Sequence, residues 1–237
     1  MTASARAGAA IALESVQFAY GTGPRVLDIP ALTVARGARV FMYGPSGCGK
    51  TTLLGILAGV LKATRGRVRV LDRDLVSMSG AQRDAFRAEH VGYVFQQFNL
   101  IPYLSAYDNI ALPCRLDARR RARLGSTSLD AAIHDLAGQL DIAALLAQRA
   151  TELSVGQQQR VAAARALLAA PELVICDEPT SSLDTDRRDA FLALLGASVA
   201  RANATLLFVS HDATLGARFD VQLSLPALNR AARTDAA

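Results

Sequence analysis

The chain has 237 residues, 51% of them hydrophobic and 20% charged, with a formal net charge of +5. That balance excludes global disorder and suits one globular domain, or one domain with a lobed insertion, with enough apolar mass for a core that needs no covalent staples. Cys48, Cys114 and Cys176 are too few and too scattered for a disulfide framework or a zinc site, which favours a reducing, cytosolic setting. No apolar run approaches the roughly 20 residues of a spanning helix, so any membrane involved is crossed by another chain. The positive charge is spread along the chain, and solubility explains it better than a nucleic-acid partner, which is not expected.

In chain order, residues 1–10 are small and polar and read as a frayed tail. Residues 11–20 alternate like a half-buried strand, Gly21, Gly23 and Pro24 make a turn, and 26–34 is extended, an antiparallel start. A short apolar strand is expected at 39–43 and a helix over 51–61, where Leu53, Leu54, Leu57 and Leu61 recur at helical spacing. Strands at 68–71 and 91–95 flank a helix around 79–88. From 99 to 170 alanine, leucine and arginine recur at helical spacing, predicting a helical lobe inserted between core strands. The chain then alternates again: a buried-type strand at 173–176, a helix over 185–201, a strand at 205–210, a short helix at 213–219, and a tail from 229 to 237 expected to fray.

The chemistry starts in the glycine loop. Gly44, Pro45, Ser46, Gly47, Cys48, Gly49, Lys50 and Thr51 match the phosphate-binding loop in full, between strand and helix, and Thr52 completes the candidate ATP-binding set. Glycines let successive amides converge on phosphate oxygens, and the helix start adds its positive end. Lys50 reaches the terminal phosphates, and the Thr51 hydroxyl can ligate magnesium. Lys50 and Lys62 are the only lysines among 26 basic residues, so a lysine inside this loop is a specific choice of a slim, flexible cation. The strand at 173–176 runs into Asp177 and Glu178. An acid at a strand tip can hold magnesium, and its neighbour can act as general base on an attacking water.

Leu153, Ser154, Val155, Gly156 and Gln157 open a helix, with Ser154 and Gln157 spaced as a capping box. Followed by Gln159, Arg160, Val161 and Ala162, this stretch resembles the signature motif of ATP-binding-cassette proteins. The resemblance extends from Ala12 to about Leu225. It implies an α/β fold: a P-loop NTPase core with a mostly parallel sheet, an N-terminal antiparallel β subdomain and an inserted α-helical subdomain. As one domain, its catalytic core would occupy about 11–98 and 171–226, and its helical subdomain about 99–170.

The resemblance also implies roles. Ser154, Gly156 and Gln157 would contact ATP in trans, across a dimer of two such chains, a homodimer being expected. Tyr20 would stack on adenine. Gln96 would sense magnesium and the attacking water, and with Thr51 and Asp177 it makes up the metal set. His211 would contact the γ-phosphate and orient the catalytic Glu178. Ser181, Ser182, Leu183 and Asp184 would carry communication across the dimer. The signature commonly has glycine where this chain has Val155, which ordinary helical φ should tolerate.

The stretch VFQQFNLIPYL at 94–104, with Asp108, Asn109, Ile110, Leu112 and Pro113, is most similar to ATPases of lipoprotein-releasing, macrolide-exporting and cell-division systems. This implies a peripheral ATPase at the cytoplasmic face of a bacterial inner membrane. It would use MgATP to drive a separate permease subunit, with Phe98, Leu100, Ile101 and Leu104 as candidate contacts. Two alternatives stay open: mechanical signalling through a membrane partner without transport, and a soluble cassette acting in DNA repair or translation. Residues 115–123 hold five arginines, read as a solvated face.

Overall fold

A computed structural model describes residues 8–181 and 183–233. The first elements are β1 (Ala9–Ala19), β2 (Arg25–Ala35), β3 (Arg39–Tyr43), α1 (Lys50–Leu57), β4 (Arg65–Val70), β5 (Arg73–Asp74), α2 (Gly80–His90) and β6 (Val91–Val94). Then come α3 (Ala106–Leu116), α4 (Ala118–Ala122), α5 (Leu129–Gln139), α6 (Val155–Leu167), β7 (Leu173–Asp177) and α7 (Thr185–Arg201). The last are β8 (Thr205–Ser210), β9 (Val221–Ser224) and α8 (Leu225–Leu228). The chain divides into two compact units, one running to Arg87 and resuming at Thr205, the other Ala88–Ala204.

In the first unit an antiparallel sheet runs in the order β2-β1-β4-β5. Its alternating residues bury Ile11, Leu13, Leu27, Ile29, Val68 and Val70 and leave Arg65, Arg67 and Arg69 outside, the period-2 pattern of a sheet with one wet face. β3 lies parallel between β8 and β9. β3 and β8 are almost wholly buried apolar runs, as parallel strands covered on both faces must be. α1 stops at Leu57, short of the expected 61. Gly59 turns left-handed at φ 73°, and the amides of Val60 and Leu61 fold back onto the Gly55 carbonyl.

In the second unit β6 and β7 pair in parallel. α3 starts on Ser105, whose hydroxyl accepts from the Asp108 amide, and α5 starts on Ser128 in the same way. α6 buries Val161, Ala162, Ala163 and Ala164 completely; small side chains on this face let it pack closely. The second unit takes in β6, β7 and α7 as well as the helices expected over 99–170.

Three readings are corrected. Arg120, expected on a solvated face, is 2% exposed and donates to the carbonyls of Val91 (2.8 Å), Ala166 (2.7 Å) and Leu168 (3.1 Å), so it caps the C-terminal end of α6. Burial pushes its guanidinium down to about 10, and the cation persists because backbone oxygens satisfy it. Neighbouring Arg123 bonds the Ala169 and Ala170 carbonyls and Glu172. The 1–10 tail is ordered from Ala9, in β1, with Ala10 buried. The 229–237 tail begins with Asn229, which is 1% exposed. Residues 1–7 and 234–237 lie outside the described residues.

Candidate nucleotide-binding site

The glycine loop fills the interval between the end of β3 at Tyr43 and the start of α1 at Lys50. Gly49 sits at φ 99°, and a Cβ there would meet Leu27 Cδ2 at 2.7 Å, so both conformation and space require glycine. Lys50 is only 7% exposed, and its Nζ donates to the carbonyls of Gly44 (2.8 Å) and Pro45 (3.0 Å), which holds the ammonium inside the curl of the loop. No acidic side chain occupies the first turn of α1. No carboxylate of the helix itself therefore offsets the partial positive charge of that helix end. Pro45, Ser46 and Gly47 are exposed along the rim, Cys48 is buried beneath it, and Thr51 is exposed in the first turn. Thr52 is buried and shares a 3.2 Å hydrogen bond with the Tyr20 hydroxyl. Tyr20 meets Phe18 edge-on at 4.8 Å and stays 55% exposed, so the flat ring has a surface on which to stack a base.

His211 follows β8 and is exposed. The parallel register pairs Tyr43 with Ser210, so Gly44 and His211 leave neighbouring strands at the same end. Asn229 went unrecognised in the sequence reading. Its Nδ2 donates to the carbonyls of Val26 (2.9 Å) and Cys48 (3.2 Å), and its Oδ1 accepts from the amides of Asp28 (2.8 Å) and Ala231 (3.2 Å). One asparagine among Leu225, Pro226 and Leu228 was the only available signal.

In the second unit Asp177 and Glu178 stand at the end of β7, and the register of Val94 with Cys176 brings Gln96 out at the same end of the β6–β7 pair. Gln96 is exposed and both carboxylates are partly covered. Glu178 has φ 47°, a left-handed backbone that costs a non-glycine residue roughly 1–3 kcal/mol and tends to mark working sites. Tyr93 and Asp177 share a strand-pair face, and the phenol donates to Asp177 Oδ2 at 3.5 Å while its ring stacks on Phe95 at 4.3 Å. Burial, then the charge of Asp177, raise the Tyr93 pKa, so the hydroxyl keeps its proton and acts as a donor. At the base of this strand Glu172 is partly buried, but hydrogen bonds from His90 and Arg123 outweigh that cost and hold its carboxyl at about 2.

α6 opens as the spacing predicts. Ser154 Oγ accepts from the Gln157 amide at 3.4 Å, and Gln157 Oε1 accepts from the Ser154 amide at 2.8 Å. The Gln157 side chain is thus engaged in the cap. Ser154 and Val155 are exposed, and a Cβ at Gly156 would meet nothing within 4 Å among the described residues. Buried Gln159, five residues after Ser154, donates to the Pro179 carbonyl at 2.8 Å, tying α6 to the loop after Glu178. Ser181 is exposed, and Asp184 caps α7 by accepting from the Arg187 amide; Leu183 is half-buried and Ser182 lies outside the described residues.

Phe98, a candidate contact from sequence, is 5% exposed, and its carbonyl is bonded by Arg165. Leu100, Ile101 and Leu104 are partly exposed, whereas Tyr103, not singled out from sequence, is 75% exposed. A cleft of about 150 Å³ is lined by Tyr93, Phe95, Asn99, Pro113 and Arg165.

The ABC transporter family model matches residues 27–181. The chain is 40% identical over 213 residues to the lipoprotein-releasing system ATP-binding protein LolD of Anaeromyxobacter dehalogenans, covering 89% of this chain and 87% of that one. Among solved structures it is similar to the dimeric structure of MJ0796, a bacterial ABC transporter cassette, with TM-score 0.79 and 30% identity over 91% of this chain and 94% of that one. It is similar as well to the dimeric post-hydrolysis state of that cassette bound to ADP and Pi, with TM-score 0.79 and 29% identity over the same shares. With the phosphate loop, the paired carboxylates and the capped signature helix present in family order, this chain belongs to the ABC transporter family as an ATP-binding cassette.

Proposed function

We propose that the chain hydrolyses MgATP at composite sites between two copies and so powers a separate membrane permease. The substrate would be exported or extracted, of lipoprotein or lipid type. The observation that carries this reading is the start of α6. A capped helix end with an exposed Ser154 and a glycine whose Cβ position meets nothing within 4 Å among the described residues supports reading it as an anion site turned toward another molecule.

On this reading the amides of residues 46–51 and the Lys50 ammonium hold the β- and γ-phosphates, and Tyr20 stacks on the base. Ser154 and Gly156 of the second copy close over the γ-phosphate. Glu178 accepts a proton from the attacking water, Gln96 and His211 orient that water in line, and closure lowers its freedom before reaction. Thr51, Asp177 and Gln96 are hydroxyl, carboxylate and amide oxygens, a donor set that fits magnesium, a hard cation that takes few protein ligands. These three side chains would hold the magnesium, which would supply positive charge against the phosphates during transfer. Ser181, Leu183 and Asp184, with Ser182, carry the state of one site to the other.

Among the described residues no helix is long and apolar enough to cross a membrane, and the placement proposed is peripheral, at the cytoplasmic face of a bacterial inner membrane. The LolD-named relative supports a lipoprotein-releasing partner. The cleft lined by Tyr93, Phe95 and Pro113 would offer apolar contacts for a short helix of that partner, and Tyr103 and Leu116 are further exposed apolar side chains of the same unit. Detergent extraction of the native protein with its attached subunit, followed by reconstitution, tests the reading. Turnover stimulated severalfold by the membrane partner supports it; stimulation by DNA or ribosomes instead would refute it.

A further inference from the structure

We propose that Asn229 is a positioning residue for the phosphate loop, the working end of a C-terminal strap that braces the loop from behind. The proposal rests on the reading of that loop as the nucleotide cradle. Two contacts fix the strap against opposite ends of the loop. At one end, a Cβ on Gly44 would meet Pro226 Cδ at 2.9 Å, so the proline ring lies directly against the loop backbone. At the other, Asn229 Nδ2 donates to the Cys48 carbonyl at 3.2 Å.

A trans peptide is planar, with its carbonyl and the following N–H pointing in opposite directions. Tethering the Cys48 carbonyl on the outside of the loop therefore aims the Gly49 N–H toward its inside, where a phosphate oxygen is bound. Gly49 has φ 99° and no side chain to fix its peptide plane, so the plane depends on this outside bond.

The same amide donates to Val26 at 2.9 Å, and its oxygen accepts from the Asp28 amide at 2.8 Å and the Ala231 amide at 3.2 Å. With both ends of the amide engaged at 1% exposure, the side chain cannot swing away. Leu27, between those two β2 residues, is the residue against which Gly49 packs. β2, the strap and the loop thus meet at one asparagine more than 170 residues after the loop.

The test is nucleotide affinity set against turnover. Asn229→Ala is expected to weaken MgADP binding, measured by calorimetry, about tenfold and to raise the KM for ATP similarly. The kcat per nucleotide-competent molecule should stay within about twofold. Asn229→Asp keeps the acceptor for Asp28 and Ala231 but replaces the donor to Val26 and Cys48 with a buried carboxylate oxygen, so it should lower the melting temperature and, in the molecules that remain folded, show at least the same affinity loss. A merely structural role would lower the melting temperature and the active fraction and leave KM unchanged, and that result overturns the proposal. So does wild-type affinity in Asn229→Asp. Lys50→Ala, measured in parallel, separates the two readings: if it too binds MgADP normally, the nucleotide-loop reading itself fails, whereas a Lys50-specific loss with intact Asn229 variants removes only the strap.

Discussion

The phosphate loop and the start of α6, both proposed as anion sites, each use a helix N-terminus yet are built in opposite ways. The loop is closed on itself: Lys50 is 7% exposed and bonded to two loop carbonyls, Cys48 is buried, and Asn229 braces the back. The α6 start is capped by its own helix, with Ser154 and Val155 open to solvent and no atom of the described residues within 4 Å of a Cβ at Gly156. A site that binds an anion by itself needs several converging donors and a cation. One that offers a hydroxyl and a helix end is half of a site. On the proposed reading, the difference means that the loop holds nucleotide in one copy, whereas hydrolysis waits for a second copy to supply the other wall.

That division breaks first at Glu178. Glu178→Gln removes the base but neither anion site, so multiple-turnover hydrolysis should fall about a hundredfold or more. ATP binding should persist, and the two-copy form should accumulate on size-exclusion chromatography with ATP. Normal turnover by this variant would remove Glu178 from its role. Tyr93→Phe sharpens the account of the carboxylates. Losing one hydroxyl that orients Asp177 should raise the magnesium concentration at half-maximal MgADP binding about fivefold, with saturated turnover little changed.

Glu172 lies farther from the chemistry and its effect is on stability. Its folded pKa, about 2, is below the ordinary 4.5, so its contribution is complete above 4.5 and lost as pH falls toward 2. Glu172→Gln should therefore lower stability at neutral pH by about 1 kcal/mol, discounted for a side chain one-third exposed, and flatten the melting-temperature curve between pH 4.5 and 2. The smallest effect is expected at Val155. It is 47% exposed with ordinary helical geometry, so Val155→Gly should leave turnover within about threefold in a steady-state assay.

Much of this was legible because the signals are local. Strand, glycine loop and helix are contiguous in sequence, Ser154 and Gln157 are three residues apart, and Asp177 and Glu178 end an apolar run. What was not legible depends on contacts made across long separations. Arg120 looks like any member of an arginine run until the α6 C-terminus meets it. Its neighbours in the sequence are solvated, and only the fold reveals that four backbone oxygens surround this one. Asn229 sits in an alanine-rich end whose composition argues for fraying, and apart from Ala231 its side-chain partners lie 181 to 203 residues away. Phe98 was open between a contact to the membrane subunit and the helical lobe's own core, and it is buried. The left-handed turn at Phe98 and Asn99, φ 57° and 49°, rotates that side chain inward and leaves Tyr103 as the exposed ring.

The most direct measurement mixes two disabled proteins. Lys50→Ala spoils the loop and Ser154→Ala spoils the α6 start, so each variant alone should be nearly inactive. Combined in equal amounts, half of the two-copy assemblies pair the intact loop of one chain with the intact α6 start of the other. ATPase activity should then recover to about a quarter of the wild-type rate, given a symmetric pair with two equivalent sites. No recovery above the sum of the separate activities, or full-rate hydrolysis by Ser154→Ala at dilutions where only single copies exist, would contradict the composite site.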